Sequence, residues 1–99
     1  MMNITKTQNG SELTIALEGR LDTSTAPQLE AELKRSIDGV TWLVFDFAKL
    51  EYLSSAGLRV LLAAQKVMNR QGSMALCNVN ETIMEVFEIT GFVDILTIR

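Results

Sequence analysis

The spacing of apolar and polar positions changes period several times along the chain, and each change marks an element. Residues 2–8 fit a short first strand, and Asn9-Gly10 supplies a two-residue hairpin turn in which both positions tolerate positive φ. Beyond it Leu13, Ile15 and Leu17 alternate with Thr14, Ala16 and Glu18, the period of a strand with one face toward water. Gly19 through Ser24 read as a loop carrying Asp22. Thr25 then caps a helix, Pro27 fits its first turn, and Gln28 completes a capping box. Ala26, Leu29, Leu33 and Ile37 recur at helical spacing while Glu30 and Lys34 face water as an i,i+4 pair, and Gly39 ends the element.

Trp42–Phe47 is nearly continuous in apolar character, as in a strand covered on both faces. After a loop, Ser54 or Ser55 opens a second helix reaching about Gln71, with Gly72 as its stop. Residues 73–79 predict a fourth strand. Asn80 caps a short third helix with Ile83, Val86 and Phe87 inward, Gly91 ends it, and residues 92–98 read as a last strand. The order β-β-α-β-α-β-α-β predicts an α/β fold in one domain over residues 1–99, with a mostly parallel sheet and an antiparallel edge strand.

Charge and composition narrow the function. A formal net charge of −3 argues against nucleic-acid binding, which draws on clustered positive charge. The first residues lack the apolar core of a signal peptide, and neither Trp42–Phe47 nor Leu58–Met68 is long and apolar enough to span a bilayer, so a cytoplasmic protein without direct membrane insertion is expected. Cys77 is the only cysteine and lies in an apolar run, which reads as a buried, inert thiol. The chain contains no histidine, and no lysine stands beside Ser54 or Ser55 to activate a serine nucleophile. Asp22 and Asp46, both near strand ends, are the one pair of carboxylates to consider for a two-carboxylate site, although Asp46 reads equally as a position facing an exposed patch. No phosphate-binding glycine loop is present. A non-enzymatic protein is expected, with no metal and no catalytic residue.

The informative segment is Leu53-Ser54-Ser55-Ala56-Gly57-Leu58-Arg59. It sets two hydroxyls where a helix exposes unpaired N–H groups and the positive end of its dipole. One serine suffices for a cap. Ser55 projects toward the side of Arg59, one turn later, so a phosphate there would meet both the helix N-terminus and a guanidinium. Arg59, Lys66 and Arg70 form one stripe flanked by Leu62 and Ala63, readable as a solvated face or as an interface. Gly57 serves either close approach by a partner or close packing of helix on sheet.

Three segments, in order and at fitting spacing, resemble the STAS family, named for sulfate transporters and anti-sigma factor antagonists, and more closely its stand-alone bacterial antagonists (anti-anti-sigma factors). They are Gly19-Arg20-Leu21-Asp22 with Thr25-Ala26-Pro27, then Tyr52-Leu53-Ser54-Ser55-Ala56-Gly57-Leu58, then Phe87-Glu88-Ile89-Thr90-Gly91-Phe92. The resemblance implies that Ser55, with Ser54 as rival acceptor, is phosphorylated by an anti-sigma factor with serine kinase activity. It implies that the unphosphorylated chain binds that factor and releases the sigma factor, and that a PP2C-type phosphatase restores it. ATP then belongs to the kinase, and this chain needs no cofactor. Asp22 matches a loop aspartate implicated in partner recognition, and the implied partner surface comprises Asp22, Ser54, Ser55, Gly57, Arg59, Leu62 and Lys66. Ser54 replaces an aspartate common in the family, Ala56 a Ser or Thr, and Arg59 a frequent glycine. Some STAS domains instead serve as cytosolic accessory subunits of lipid transport complexes, which is the alternative reading.

Overall fold

The alternation over Leu13–Leu17 does fold as a strand, and it organises the sheet. A computed structural model describes residues 2–99 as β1 (Met2–Asn9), β2 (Glu12–Leu21), α1 (Ala26–Ser36), β3 (Trp42–Leu53), α2 (Ser55–Gln71), β4 (Ser73–Cys77), α3 (Glu81–Thr90) and a 3-10 turn at Phe92–Asp94. The strands lie in the order β1-β2-β3-β4, with β1 antiparallel to β2 and the two remaining pairs parallel. The hairpin between β1 and β2 turns at Gly10-Ser11, one residue later than expected, because Asn9 still pairs with Glu12 as the last residue of β1; Gly10, at φ +64, takes the left-handed position. Right-handed β-α-β crossovers that step in one direction across a sheet lay their helices on one face, so α1 and α2 pack side by side.

Leu13, Ile15, Leu17, Leu43, Phe45 and Phe47 project into that covered face and share one core with Leu29 and Leu33 of α1, Leu58, Leu61 and Met68 of α2, and Ile83 and Phe87 of α3. On the opposite face of β2 and β3, Thr14, Ala16 and Asp46 are only half-buried.

Several further expectations change. β2 runs on to Leu21 and β3 to Leu53, through residues expected to be loop, because Glu18, Gly19, Arg20 and Leu21 pair with Lys49, Leu50, Tyr52 and Leu53. Register shifts between Ala16 and Glu18 and between Gly19 and Arg20 break the period of two, so the inward residues Leu50 and Leu53 are three apart and the strand does not show in the alternation. β4 ends at Cys77 instead of residue 79.

The expected last strand over 92–98 is absent as a strand. Phe92–Asp94 forms a 3-10 turn, and only Ile98 bridges to Leu76, with the Leu76 N–H donating to Thr97 O at 2.8 Å and the Arg99 N–H to Leu76 O at 2.8 Å. Gly91, left-handed at φ +79, turns the chain out of α3 directly into this tighter turn, which folds back on α3 and leaves too few residues for a strand.

The expected capping box also fails to form. Thr25 occupies the N-cap of α1 without a side-chain cap bond, and Gln28 Nε2 donates instead to Met2 O at 3.4 Å. No helix among the described residues is long and apolar enough to cross a membrane.

Candidate functional site

Because β2 and β3 are parallel, the segments that follow them emerge at the same edge of the sheet. The carboxyl edge of parallel strands is where such folds gather their functional loops. The loop after β2 carries Asp22, and the step after β3 carries Ser54 and Ser55. The two are fastened together: the Ser54 N–H donates to Leu21 O at 2.9 Å.

The Asp22 loop is built from its own short polar side chains. Asp22 Oδ1 accepts from Ser24 Oγ at 2.7 Å, from the Ser24 N–H at 3.0 Å and from the Thr25 N–H at 3.2 Å. Thr25 braces the loop from within: its hydroxyl donates to Arg20 O at 2.8 Å and accepts from the Asp22 N–H at 2.8 Å, and the residue is buried. The Ser24 hydroxyl, helped by the backbone N–H groups of Ser24 and Thr25, outweighs burial and holds the Asp22 carboxyl at a pKa of about 2. Asp22 is a fixed negative charge at neutral pH.

Arg20 adds a positive layer to the same edge. Its guanidinium lies 4.2 Å from the centroid of the Tyr52 ring and its Nε 3.6 Å from Asp22 Oδ2. Tyr52 keeps 40% of its surface exposed, so the stacked pair remains part of the outer surface. Sequence reasoning missed this pair. Only the shifted register that sets Arg20 opposite Tyr52 brings the two together.

At the head of α2 the two serines take different positions. Ser54 is the N-cap, half-buried, and its hydroxyl accepts from the Gly57 N–H at 3.4 Å. Ser55 is the first helical residue and is exposed; among the described residues its hydroxyl has no hydrogen-bond partner. Arg59 is exposed one turn further on, and a cleft of about 230 Å³ beside it is lined by Thr23, Ala26, Pro27, Glu30, Ala56 and Val60. Lys66 and Arg70 continue the exposed stripe, and Leu62 is half-buried at its flank. Gly57 lies beneath this surface. It is buried, and a Cβ placed on it would meet Leu21 Cγ at 2.6 Å and Leu53 Cδ1 at 2.8 Å. Its bare α-carbon therefore answers the close packing of helix on sheet.

The structure does not bring Asp46 to this edge. Asp46 stands opposite Ala16, and its Oδ1 accepts from Asn78 Nδ2 at 2.9 Å and from the Ala48 N–H at 3.0 Å. The seven-residue separation from Leu53 along β3 amounts to roughly 20 Å, so Asp22 and Asp46 form no paired-carboxylate site. The Asn78 amide, with the Ala48 N–H, lowers the Asp46 pKa. Cys77, half-buried at the end of β4, has its thiol pKa raised, chiefly by burial and further by the Asp46 charge. Among the described residues no group of three His, Cys, Asp or Glu side chains is arranged to hold a metal ion.

Comparison with known proteins finds relatives and similar folds over nearly the whole chain. The family model described as "STAS domain" matches residues 3–99. A relative named "Putative anti-sigma factor antagonist BtrV", from Bordetella bronchiseptica, is 40% identical over 99 residues, covering 98% of this chain and 85% of BtrV. The crystal structure of an anti-sigma factor antagonist from Mycobacterium paratuberculosis superposes with a TM-score of 0.90 at 20% identity, covering 99% of this chain and 85% of that one. The Bacillus cell fate determinant SpoIIAA in its phosphorylated form gives a TM-score of 0.77 at 22% identity, covering 98% of this chain and 91% of that one.

Proposed function

Since the chain belongs to the STAS domain family, we propose that it is an anti-sigma factor antagonist whose binding is switched by phosphate on Ser55. The observation that carries the proposal is the exposed, unpartnered Ser55 hydroxyl at the first position of α2, next to a neighbour already engaged as the cap. A phosphate there adds about 1.5 to 2 negative charges. The first turn of α2 contains no acidic residue to repel it, its N–H groups and dipole favour an anion, and Arg59 is one turn away. The domain therefore holds the modification without refolding, and a docking protein reads it as altered surface charge.

In this reading the unphosphorylated chain binds an anti-sigma factor with serine kinase activity in the cytoplasm and so releases the sigma factor. The kinase contributes ATP, and a PP2C-type phosphatase returns Ser55 to its free state. Asp22, Ser54, Ser55, Arg59, Leu62 and Lys66 form the contact surface, with Gly57 setting the depth at which α2 sits behind it. The name of BtrV and the existence of SpoIIAA in a phosphorylated form both support this assignment.

The test is incubation with the cognate kinase-type anti-sigma factor and ATP, followed by phosphate mapping by mass spectrometry. Phosphate is expected on Ser55, and Ser55→Asp is expected to weaken binding at least about tenfold, or 1.4 kcal/mol, in calorimetry with the fold unchanged. Phosphate confined to residues other than Ser54 and Ser55, or unaltered affinity of the variant, overturns the switch.

A further inference from the structure

Two helices of this chain carry charge of one sign each. α2 contains Arg59, Lys66 and Arg70 and no Asp or Glu. The stretch from Gln71 to Ile98 contains no Lys or Arg and carries Glu81, Glu85, Glu88 and Asp94. None of these seven side chains takes part in an ion pair among the described residues, where the pairs join Lys6, Arg20, Lys34 and Arg35 to Asp22, Glu30 and Glu32. The molecule therefore presents a positive helix and a negative helix, neither neutralised internally.

Both charged faces have apolar centres. On α3, Glu81, Glu85 and Glu88 surround a shallow hollow of about 350 Å³ that Val79 and Met84 also line. Ile89, one turn beyond Glu85, is 85% exposed, and Ile95, just past the 3-10 turn, is 54% exposed. Side chains this large and this exposed, one on α3 and one just past the turn that packs against it, mark a contact surface more often than a solvated one. On α2, Leu62, Ala63 and Val67 lie among the basic residues and are exposed or half-buried. The two faces match in sign and in character.

We propose that this acid-rimmed apolar face of α3 docks a second copy of the chain through the basic face of that copy's α2. The complementary charges select this occupant, because the chain itself carries the apolar helix with a basic rim that the α3 face fits. The contact joins different patches of two identical molecules. It is weak and salt-sensitive, since its ion pairs are exposed. It needs no phosphate and no kinase, and so stands independently of the switch proposed above. A docked copy covers the flank of α2 that begins at Arg59, which makes self-association a competitor of any partner that binds there.

Sedimentation equilibrium of the unmodified full chain over a range of concentrations tests the proposal. Reversible association is expected at low ionic strength, weakened at least about fivefold by salt near 0.5 M, where the screening length is only a few ångströms. Glu85→Lys with Glu88→Lys, and separately Lys66→Glu with Arg70→Glu, are each expected to give a monomer, because each leaves like charges facing each other. An equimolar mixture of these two double variants is expected to associate again, because each supplies the face the other opposes. That recovery also shows both variants to be folded. A parent chain that is monomeric throughout, double variants that associate as strongly as the parent, or a mixture that stays monomeric overturns the proposal.

Discussion

Gly57 sits on Leu21 so closely that a methyl group on its α-carbon would fall 2.6 Å from Leu21 Cγ. The contact seats the first turn of α2 on the end of β2, the strand that leads into the Asp22 loop. Replacement of glycine by alanine inside a helix ordinarily stabilises it by about 0.8–1.0 kcal/mol. Here the overlap with Leu21 and Leu53 opposes that gain, and overpacking of this kind costs about 1–3 kcal/mol. Gly57→Ala is expected to lower unfolding stability by about 1 kcal/mol in urea titration. A variant more stable than the parent would mean that Leu21 repacks freely and that α2 is not held at this depth.

The two serines should separate in stability measurements. Ser54→Ala removes the cap of α2 and is expected to cost about 0.5–1 kcal/mol, in the lower part of the usual range because the bond to the Gly57 N–H is long at 3.4 Å. Ser55→Ala removes an exposed, unbonded hydroxyl and should lie within about 0.5 kcal/mol of the parent. Equal losses for both would assign Ser55 a structural bond that the geometry does not contain.

The Asp22 loop carries a defined acid response. The carboxyl falls from its ordinary 3.8 to about 2 in the folded chain, chiefly because it accepts from the Ser24 hydroxyl. A depressed carboxylate pKa contributes stability that is complete above the unfolded value and is lost as pH falls through the folded one, so the affected window lies between about pH 4 and pH 2. Titration of the Asp22 side-chain carbon by NMR is expected to show its midpoint near 2, and Ser24→Ala is expected to move it upward. A midpoint at the ordinary value in the parent would show that the loop does not hold this arrangement in solution.

The C-terminal segment protects a sheet edge without being a strand. Leu76 exchanges two backbone hydrogen bonds with it, to Thr97 O and from the Arg99 N–H. Deleting Thr97–Arg99 is expected to cost about 1–3 kcal/mol, the net worth of two backbone bonds at about 0.5–1.5 kcal/mol each. It should also speed amide exchange at Leu76. Unchanged exchange at Leu76 would show that the single bridge is not populated.

Regular periodicity made most of the fold legible. Leu13, Ile15 and Leu17 gave β2, Leu29 and Leu33 gave α1, and Asn80 caps α3 through the Ile83 N–H as its position predicts. The second half of β3 was hidden because bulges put Leu50 and Leu53 out of step, and a bulge is stabilised by the partner strand, which local spacing does not reveal. Thr25 illustrates a different limit. A threonine before Pro27 fits a cap, yet its hydroxyl serves Arg20 O and the Asp22 N–H, because those backbone groups are closer once the loop closes.

The sequence by itself determined the α/β class, the places of the three helices, the serine pair at the head of α2 and the basic stripe Arg59, Lys66 and Arg70 along it. These depend on residue type and on spacing within one element. Only the tertiary structure decided that Gly57 is buried packing, that Ser54 is the engaged hydroxyl and Ser55 the free one, and that Arg20 lies over Tyr52 beside Asp22. Each of those depends on where a second element comes to rest. That is set by strand register and core packing between residues far apart in the chain, which no local pattern encodes.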